Sequence, residues 1–192
     1  MRLNARPPGT GPRTKDANEV IQLLPLDQID PQAVESLLDR AFGPDRRART
    51  AYRIRAGADP VAQLSFAAVR DDGTLAGTIQ CWPVTLRCDR GDETAVTMIG
   101  PVAVEPQWQQ EGIGRALMEH MLAAVPGCST PGCEALMLIG DPEYYERFFG
   151  FTAERTAQWR LPGPFEPRRL LARGDQIPDC AGALGPRLRQ VA

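Results

Sequence analysis

The sequence has little of several residue types that common enzyme sites use. Among 192 residues there is one lysine, Lys15, and one histidine, His120, while arginine supplies the other basic residues. The five cysteines include no CxxC pair, so a Cys/His zinc site is poorly supplied and a Ser-His or Cys-His nucleophile system has only His120 to use. The net charge of −2 leaves no basic excess, which argues against nucleic-acid binding.

The chain also lacks a long apolar run. No stretch approaches the roughly 18 to 20 apolar residues of a membrane span, and the charged N-terminus has no apolar core of a secretory signal. We therefore expect a cytoplasmic protein that does not bind membranes. At this length and spacing we expect free thiols and no disulfide framework for Cys81, Cys88, Cys128, Cys133 and Cys180.

What is present indicates an ordinary globular chain. Apolar residues make up 43% and charged residues 24% of the sequence, a balance that suits a folded core. Residues 1–17 are rich in proline, glycine and arginine and have almost nothing to bury, which predicts a mobile tail. Residues 18–192 are long enough for one domain with one core.

The hydrophobic pattern alternates between helix and strand periods and predicts a mixed α/β fold. Asp30 followed by Pro31 is typical of a helix start, and Gly43-Pro44 of its end. Gly100-Pro101 predicts a bulge within a strand. The predicted helices are 31–42, 49–55, 112–125 and 142–150, and the predicted strands are 19–27, 64–70, 74–88, 94–106, 134–141, 152–161 and 168–174.

The most informative segment is a glycine loop at residues 106–114, between a strand and an amphipathic helix. Glycines let a ligand approach the main chain, and the first N–H groups of a helix have no partners within it. Together with the helix dipole they favour an anion such as phosphate. A dinucleotide-binding loop would need glycine at Leu117, and a Walker loop would need a lysine that this segment lacks.

This segment resembles the acyl-CoA-binding motif of the GNAT superfamily of N-acetyltransferases, Gln/Arg-x-x-Gly-x-Gly/Ala, with Gln109, Gly112 and Gly114 at the matching positions. GPVAV at 100–104 is similar to the bulged fourth strand of that family, and 136–151 to its fifth strand and following helix. Segments 49–57 and 161–171 resemble the bacterial YhbS-type branch. The resemblance extends over about residues 18 to 175.

The resemblance implies a central, mostly antiparallel sheet that splays at strands 4 and 5, with flanking helices. It implies direct transfer of an acetyl group from acetyl-CoA to the amine of a small molecule in a ternary complex, without a metal. Two alternatives stay open: a CoA-binding module without catalysis, and an acetyltransferase for protein lysines or N-termini. The sequence leaves open whether the acyl group is longer than acetyl and whether two copies form a homodimer.

The resemblance also implies roles for particular residues. Pantetheine would pair with the strand edge at Val102, Ala103 and Val104, and the Val102 N–H would stabilise the oxyanion. Tyr145 would protonate the leaving thiolate, with Tyr144 in reserve. The pyrophosphate would be bound by Gln109, Gln110, Glu111, Gly112, Ile113, Gly114, Arg115 and Ala116.

Two positions depart from the family pattern. Glu111 places a negative charge beside the expected pyrophosphate, and four residues instead of three separate Tyr145 from Gly150. The general base is left open among Asp141, Glu93, Glu105 and a water chain. Candidates for the acceptor pocket are Arg49, Arg53, Arg55 and Trp82.

Overall fold

An eight-stranded mixed sheet organises the fold. The computed structural model describes residues 21–188, so the tail predicted for residues 1–17 lies outside the described residues. The strands are β1 (Ile21–Pro25), β2 (Phe66–Arg70), β3 (Leu75–Cys88), β4 (Glu93–Val104), β5 (Leu136–Ile139), β6 (Trp159–Arg160), β7 (Leu170–Arg173) and β8 (Gly182–Pro186).

Four α-helices accompany the sheet in the described residues: α1 (Pro31–Phe42), α2 (Thr50–Ile54), α3 (Ile113–Ala124) and α4 (Pro142–Phe149). The Asp30 carboxylate caps α1 by accepting from the Gln32 N–H, as the sequence predicts. Gly150 closes α4 in the left-handed conformation, where glycine has no steric cost. None of these helices is both long and apolar enough to cross a bilayer.

The strand order positions a cleft at one end of the sheet. Strands β1 to β4 are antiparallel neighbours, while β4 and β5 are parallel and pair only at Thr97–Leu136 and Met98–Met137. Beyond Met98, β4 continues to Val104 without β5 beside it. The sheet therefore opens between β4 and β5, as the resemblance implies.

Helices cover both faces of the sheet beside this opening. Successive strand residues face opposite sides, and in β4 Ala103 packs with the apolar face of α1 while Val102 and Val104 pack with the cluster that contains α3. Leu37 and Leu38 of α1 are fully buried in the first of these contacts. The two helices thus fix β4 from both sides and leave only its outer edge free.

The predicted elements agree with the structure best in the first 150 residues. The predicted bulge is confirmed, because Gly100 and Pro101 of β4 both lie opposite Gln80 of β3. The strand predicted at 152–161 is wrong over most of its length, since only β6 forms there, with one bridge at Thr152. Strand β8 was not predicted, because its sequence GALGP has weak strand propensity and is held by pairing with β3.

The expectation of free thiols is wrong for four of the five cysteines. Disulfides join Cys88 to Cys180 and Cys128 to Cys133, and Cys81 is the free, buried thiol. The first pair is 92 residues apart in sequence and meets because β8 pairs with the end of β3. Spacing along the chain could not reveal this contact, which depends on the sheet.

We expect thiol labelling to report this pattern. In denaturant without reductant, an alkylating reagent should modify one of the five cysteines, and all five after reduction. In the folded protein Cys81 should resist labelling, because burial raises the pKa of its thiol and blocks access. Mass spectrometry of the wild type and of Cys81→Ser, which should take no label before reduction, provides the test. Five labels without reductant would contradict the pairing.

Candidate functional site

The glycine loop holds the start of α3 in a conformation that leaves its amides free. Gln110 and Gly112 both have positive φ, 79° and 82°, and Gly112 is the N-cap of α3. In the described residues, the N–H groups of Gly112, Ile113 and Gly114 have no hydrogen-bond acceptor, and the first bond of the helix is from Ala116 to the Gly112 carbonyl, 3.0 Å. These free donors at a helix N-terminus form an anion site.

The acidic residue in this loop is paired with a cation. Glu111 accepts from Arg70 of β2, with 3.3 Å between Arg70 Nη1 and Glu111 Oε2. Arg70 also lies over the Trp108 ring, 4.4 Å from its centre. The side chain of Glu111 is thus directed toward β2, and Arg70 compensates its charge beside the loop.

Arg115 points along α3 and not into the loop. Its Nε donates to Glu119 one helical turn later, 2.7 Å, and its guanidinium lies 5.1 Å from the centre of the Phe148 ring. The hydrogen bond with Glu119 raises the pKa of Arg115. The hydrogen-bond donors of the loop are therefore its backbone amides, and the Arg115 side chain lies beside the loop on the side of α4.

The free edge of β4 presents backbone groups to the cleft. Glu105 N–H donates to the Ala76 carbonyl on the β3 side, 2.8 Å, so Glu105 and Ala103 direct their backbone groups toward β3. Because these groups alternate along a strand, Val102 and Val104 direct theirs toward the opening. Of the three predicted strand residues, Ala103 therefore pairs within the sheet, while the backbone groups of Val102 and Val104 face the opening, and Val102 also lines the cleft described next.

A cleft of about 780 Å³ continues from this edge between β4 and β5. Residues from β4, from the end of β5, from α2 and from the 161–171 segment line it. Thr50 of α2 donates to the Pro164 carbonyl, 2.6 Å, which ties that segment across one end of the cleft. Lining side chains come from Phe42, Arg46, Arg49, Thr50, Tyr52, Arg55, Met98, Ile99, Val102, Leu138, Ile139, Asp141, Tyr145, Phe165, Glu166 and Arg169.

The two predicted tyrosines lie in different surroundings. Tyr145 lines the cleft together with Val102, whereas Tyr144 packs against the rings of Phe148 and Phe149 and lies near Arg115. The ring of Tyr145 packs against Gly140, where a Cβ atom would overlap it. Burial raises the pKa of Tyr145 to about 12, so its hydroxyl keeps its proton at neutral pH.

One of the three predicted carboxylates lies in the cleft. Asp141 lines it at the end of β5 and caps α4 by accepting from the Glu143 N–H. Glu143 beside it raises the pKa of Asp141. Glu105 instead forms an ion pair with Arg40 through both carboxylate oxygens, and Glu93 pairs with Arg87 at the opposite end of β4.

The predicted acceptor residues divide in the same way. Arg49 and Arg55 line the cleft, and Trp82 stacks behind Arg55 with 4.1 Å from the guanidinium to the ring centre. Arg53 is exposed outside the cleft lining and donates to the Pro162 carbonyl, 3.3 Å. Arg53 lies within the short helix α2, whereas Arg49 and Arg55 flank it as its N-cap and C-cap residues.

Several cleft residues carried no sequence signal. Arg46 is 1% exposed and forms ion pairs with Glu35 and Asp39 of α1, and it also donates to the Tyr52 hydroxyl. Glu166 and Arg169 come from the last third of the chain and line the opposite wall. The spacing of Glu35 and Asp39, one helical turn apart, is the one pattern that could have indicated a buried cation partner.

Residues 21–188 contain no group of three His, Cys, Asp or Glu side chains placed to hold a metal ion. The polar groups of the cleft are backbone groups, arginines, tyrosines, the Thr50 hydroxyl and the carboxylates of Asp141 and Glu166. Such a set suits binding of an anion at the loop and proton transfer at Tyr145 and Asp141.

Comparisons with known proteins agree with this geometry. A family model described as "Acetyltransferase (GNAT) family" matches residues 32–151. The fold is similar to the crystal structure of a GNAT family N-acetyltransferase (YhbS) from Escherichia coli in complex with CoA, at 23% identity and TM-score 0.65, covering 91% of this chain and 93% of that one.

Two further solved structures are similar. A GNAT family acetyltransferase from Brucella melitensis in complex with acetyl-CoA has 26% identity and TM-score 0.49, covering 84% of this chain and 100% of that one. A GCN5-related N-acetyltransferase from Kribbella flavida has 16% identity and TM-score 0.51, covering 70% of this chain and 33% of that one. A search of curated proteins gave no match.

The raised pKa of Tyr145 is open to direct measurement. We expect the tyrosinate absorbance of the folded protein to show a last transition near pH 12, because burial disfavours the charged phenolate. That transition should be absent in Tyr145→Phe and present in Tyr144→Phe. Circular dichroism at each pH checks that the protein is still folded. Loss of an earlier transition in Tyr145→Phe would contradict the assignment.

Proposed function

This chain belongs to the GNAT family of acetyltransferases, and we propose that it transfers an acetyl group from acetyl-CoA to the amine of a small molecule. The observations that carry the proposal are the free amides at the start of α3 and the opening between β4 and β5, where Val102 and Tyr145 line one cleft. The similar Escherichia coli enzyme was crystallised with CoA, which supports the choice of co-substrate.

The residues present fit two parts of CoA, its pyrophosphate and its pantetheine. The amides of Gly112, Ile113 and Gly114 provide donors for the pyrophosphate, and the dipole of α3 favours its charge. Gly114 leaves room beside the strand, because a Cβ there would already contact Val104 at 3.5 Å. The backbone groups of Val102 and Val104 can then pair with the amides of pantetheine as an added strand would.

In this proposal, acetyl transfer takes place where β4 separates from β5. The Val102 N–H is directed into the opening, where it can stabilise the oxyanion that forms as the amine attacks the thioester. A new C–N bond forms and the C–S bond breaks, so the sulfur needs a proton. Tyr145, on the same cleft and protonated at neutral pH, supplies that proton.

Asp141 is the carboxylate that supports a role in removing a proton from the acceptor amine. It lies on the cleft wall, and the side-chain hydrogen bond with the neighbouring Glu143 raises its pKa. Glu105 and Glu93 are less suitable because each is held by an arginine outside the cleft. A chain of water molecules from the amine to Asp141 would serve the same purpose.

The size of the cleft favours a small acceptor. Its volume of about 780 Å³ lies in the range of small-molecule sites, roughly 300–1,000 Å³. The tie between Thr50 and Pro164 closes one end, where a peptide segment would need an open groove. These features favour a small-molecule amine over a protein lysine or N-terminus.

Binding of acetyl-CoA at the glycine loop is tested by calorimetry with Gly112→Trp. We expect the affinity to fall at least about tenfold, because the indole covers the free amides and the new side chain strains a φ of 82°. Gly91→Trp is the matched control, since Gly91 also has positive φ and open space around it but lies in the β3–β4 turn. Equal affinity in wild type and Gly112→Trp would refute the assignment.

The role of Tyr145 is tested by comparing Tyr145→Phe with Tyr144→Phe in a thiol-release assay. We expect Tyr145→Phe to lower kcat by about 10²- to 10⁴-fold while the Kd for CoA stays unchanged, because only the proton donor is removed. Tyr144→Phe should change kcat far less, since that ring packs outside the cleft. The reverse order would transfer the role to Tyr144. A wild type that binds acetyl-CoA without turnover on any amine would indicate a binding module instead.

A further inference from the structure

Arg55 is a cation held in the cleft wall with little exposure. Arg55 is 6% exposed, and its guanidinium lies 4.1 Å from the ring centres of both Tyr52 and Trp82. Its Nη1 donates to the Gly100 carbonyl, 3.2 Å, and to Gln80 Oε1, 3.4 Å. These partners attract or orient the guanidinium, and none of them carries a negative charge.

The neighbouring Arg46 shows how this fold otherwise treats a buried arginine. Arg46 is also buried, and the carboxylates of Glu35 and Asp39 both pair with it. Burial lowers the pKa of such a group, but the hydrogen bonds with Glu35, Tyr52 and Asp39 more than offset that effect and raise the pKa of Arg46. Its charge is therefore compensated within the protein.

Arg55 lacks that compensation. None of the ion pairs in residues 21–188 includes it, and burial lowers its pKa to about 10. The group is still protonated at neutral pH, so a buried positive charge lines the cleft without a counterion. Charges in such positions are stabilised when an anion with hydrogen-bond acceptors pairs with them.

The position of Arg55 identifies which molecule would bring the anion. It donates to the carbonyl of Gly100, which lies two residues before the oxyanion donor Val102 in β4. The glycine loop follows the C-terminal end of β4 at Val104, so along the chain Val102 lies between Gly100 and the loop. The phosphates of CoA belong at that loop, which leaves the acceptor as the molecule that reaches Arg55.

A carboxylate faces the same cleft. Asp141 lines it at the end of β5, and no ion pair in the described residues includes Asp141, whereas Glu166 lies 3.8 Å from Arg169. The cleft thus offers one buried cation without a counterion, Arg55 at the end of α2, and one unpaired carboxylate, Asp141, on the β5 side. This arrangement matches a small molecule with both an anionic group and an amine.

We propose that the acceptor is a small amine that also carries a carboxylate or a phosphate, with Arg55 binding the anionic group and Asp141 facing the amine. This proposal rests on the proposed acetyl transfer and narrows its acceptor class. Phe42, Tyr52 and Phe165 also line the cleft and offer aromatic surface to an apolar part of such a molecule.

The test is a thiol-release assay with acetyl-CoA on the standard amino acids, their carboxamides and aminoalkylphosphonates of matching length. We expect the wild type to acetylate acids with higher kcat/KM than the matching amides. Arg55→Gln should raise the KM for the preferred acid by about 10- to 100-fold while the KM values for its amide and for acetyl-CoA stay unchanged. Arg55→Lys should lie between, because it keeps the charge but loses the planar fork.

Arg90→Gln is the control, since Arg90 is exposed in the β3–β4 turn and pairs with Asp92. Preference for phosphonates over carboxylates would support the phosphate form of the proposal. Equal kcat/KM for acids and amides in the wild type would overturn it and leave the proposed acetyl transfer intact. An equal loss on acids and amides in a folded Arg55→Gln would also overturn it, by showing a structural role. Failure to acetylate any amine would contradict the proposed function itself.

Discussion

The separation of β4 from β5 is the constraint on which the site depends. Backbone N–H and C=O groups need partners, and β3 satisfies one edge of β4 along nearly its whole length. On the other edge β5 provides partners only at Thr97 and Met98. Pro101 has no N–H to donate, and after the bulge at Gly100 and Pro101 the backbone groups of Val102 face the opening. The unpaired groups of Val102 and Val104 are what a strand-like ligand can use.

The same opening explains how charge is distributed around the cleft. Arg46 is buried in the cleft wall, pairs with two carboxylates of α1 and donates to the hydroxyl of Tyr52 in α2, so it links α1 to α2. Arg55 projects toward the bulge and donates a hydrogen bond to the Gly100 carbonyl, which the bulge exposes. Arg46 therefore stabilises the wall of the cleft, whereas Arg55, nine residues later, keeps its charge available for a ligand.

Much of the site could be predicted from the sequence where the signal is local. The bounds of helix α1 agree with those predicted from Asp30 and from Gly43-Pro44. The glycine loop lies between a strand and a helix, as predicted. Residues brought together by the sheet could not be predicted in this way. Cys88 and Cys180 meet through β8, and Glu166 reaches the cleft from a segment with little regular structure. Composition also could not tell that Arg53 points outward while Arg55 is buried.

The two departures from the family pattern show why a motif has to be judged by where its side chains lie. Glu111 would weaken an anion site if its charge faced the loop, but Arg70 holds it against β2. The extra residue before Gly150 would displace Tyr145 if its position were counted from the end of α4. Its N–H instead bonds to the Asp141 carbonyl at the start of the helix, 2.9 Å, and its ring occupies the space that Gly140 leaves. The start of α4 thus sets the position of Tyr145, and an added residue at the other end leaves it in the cleft.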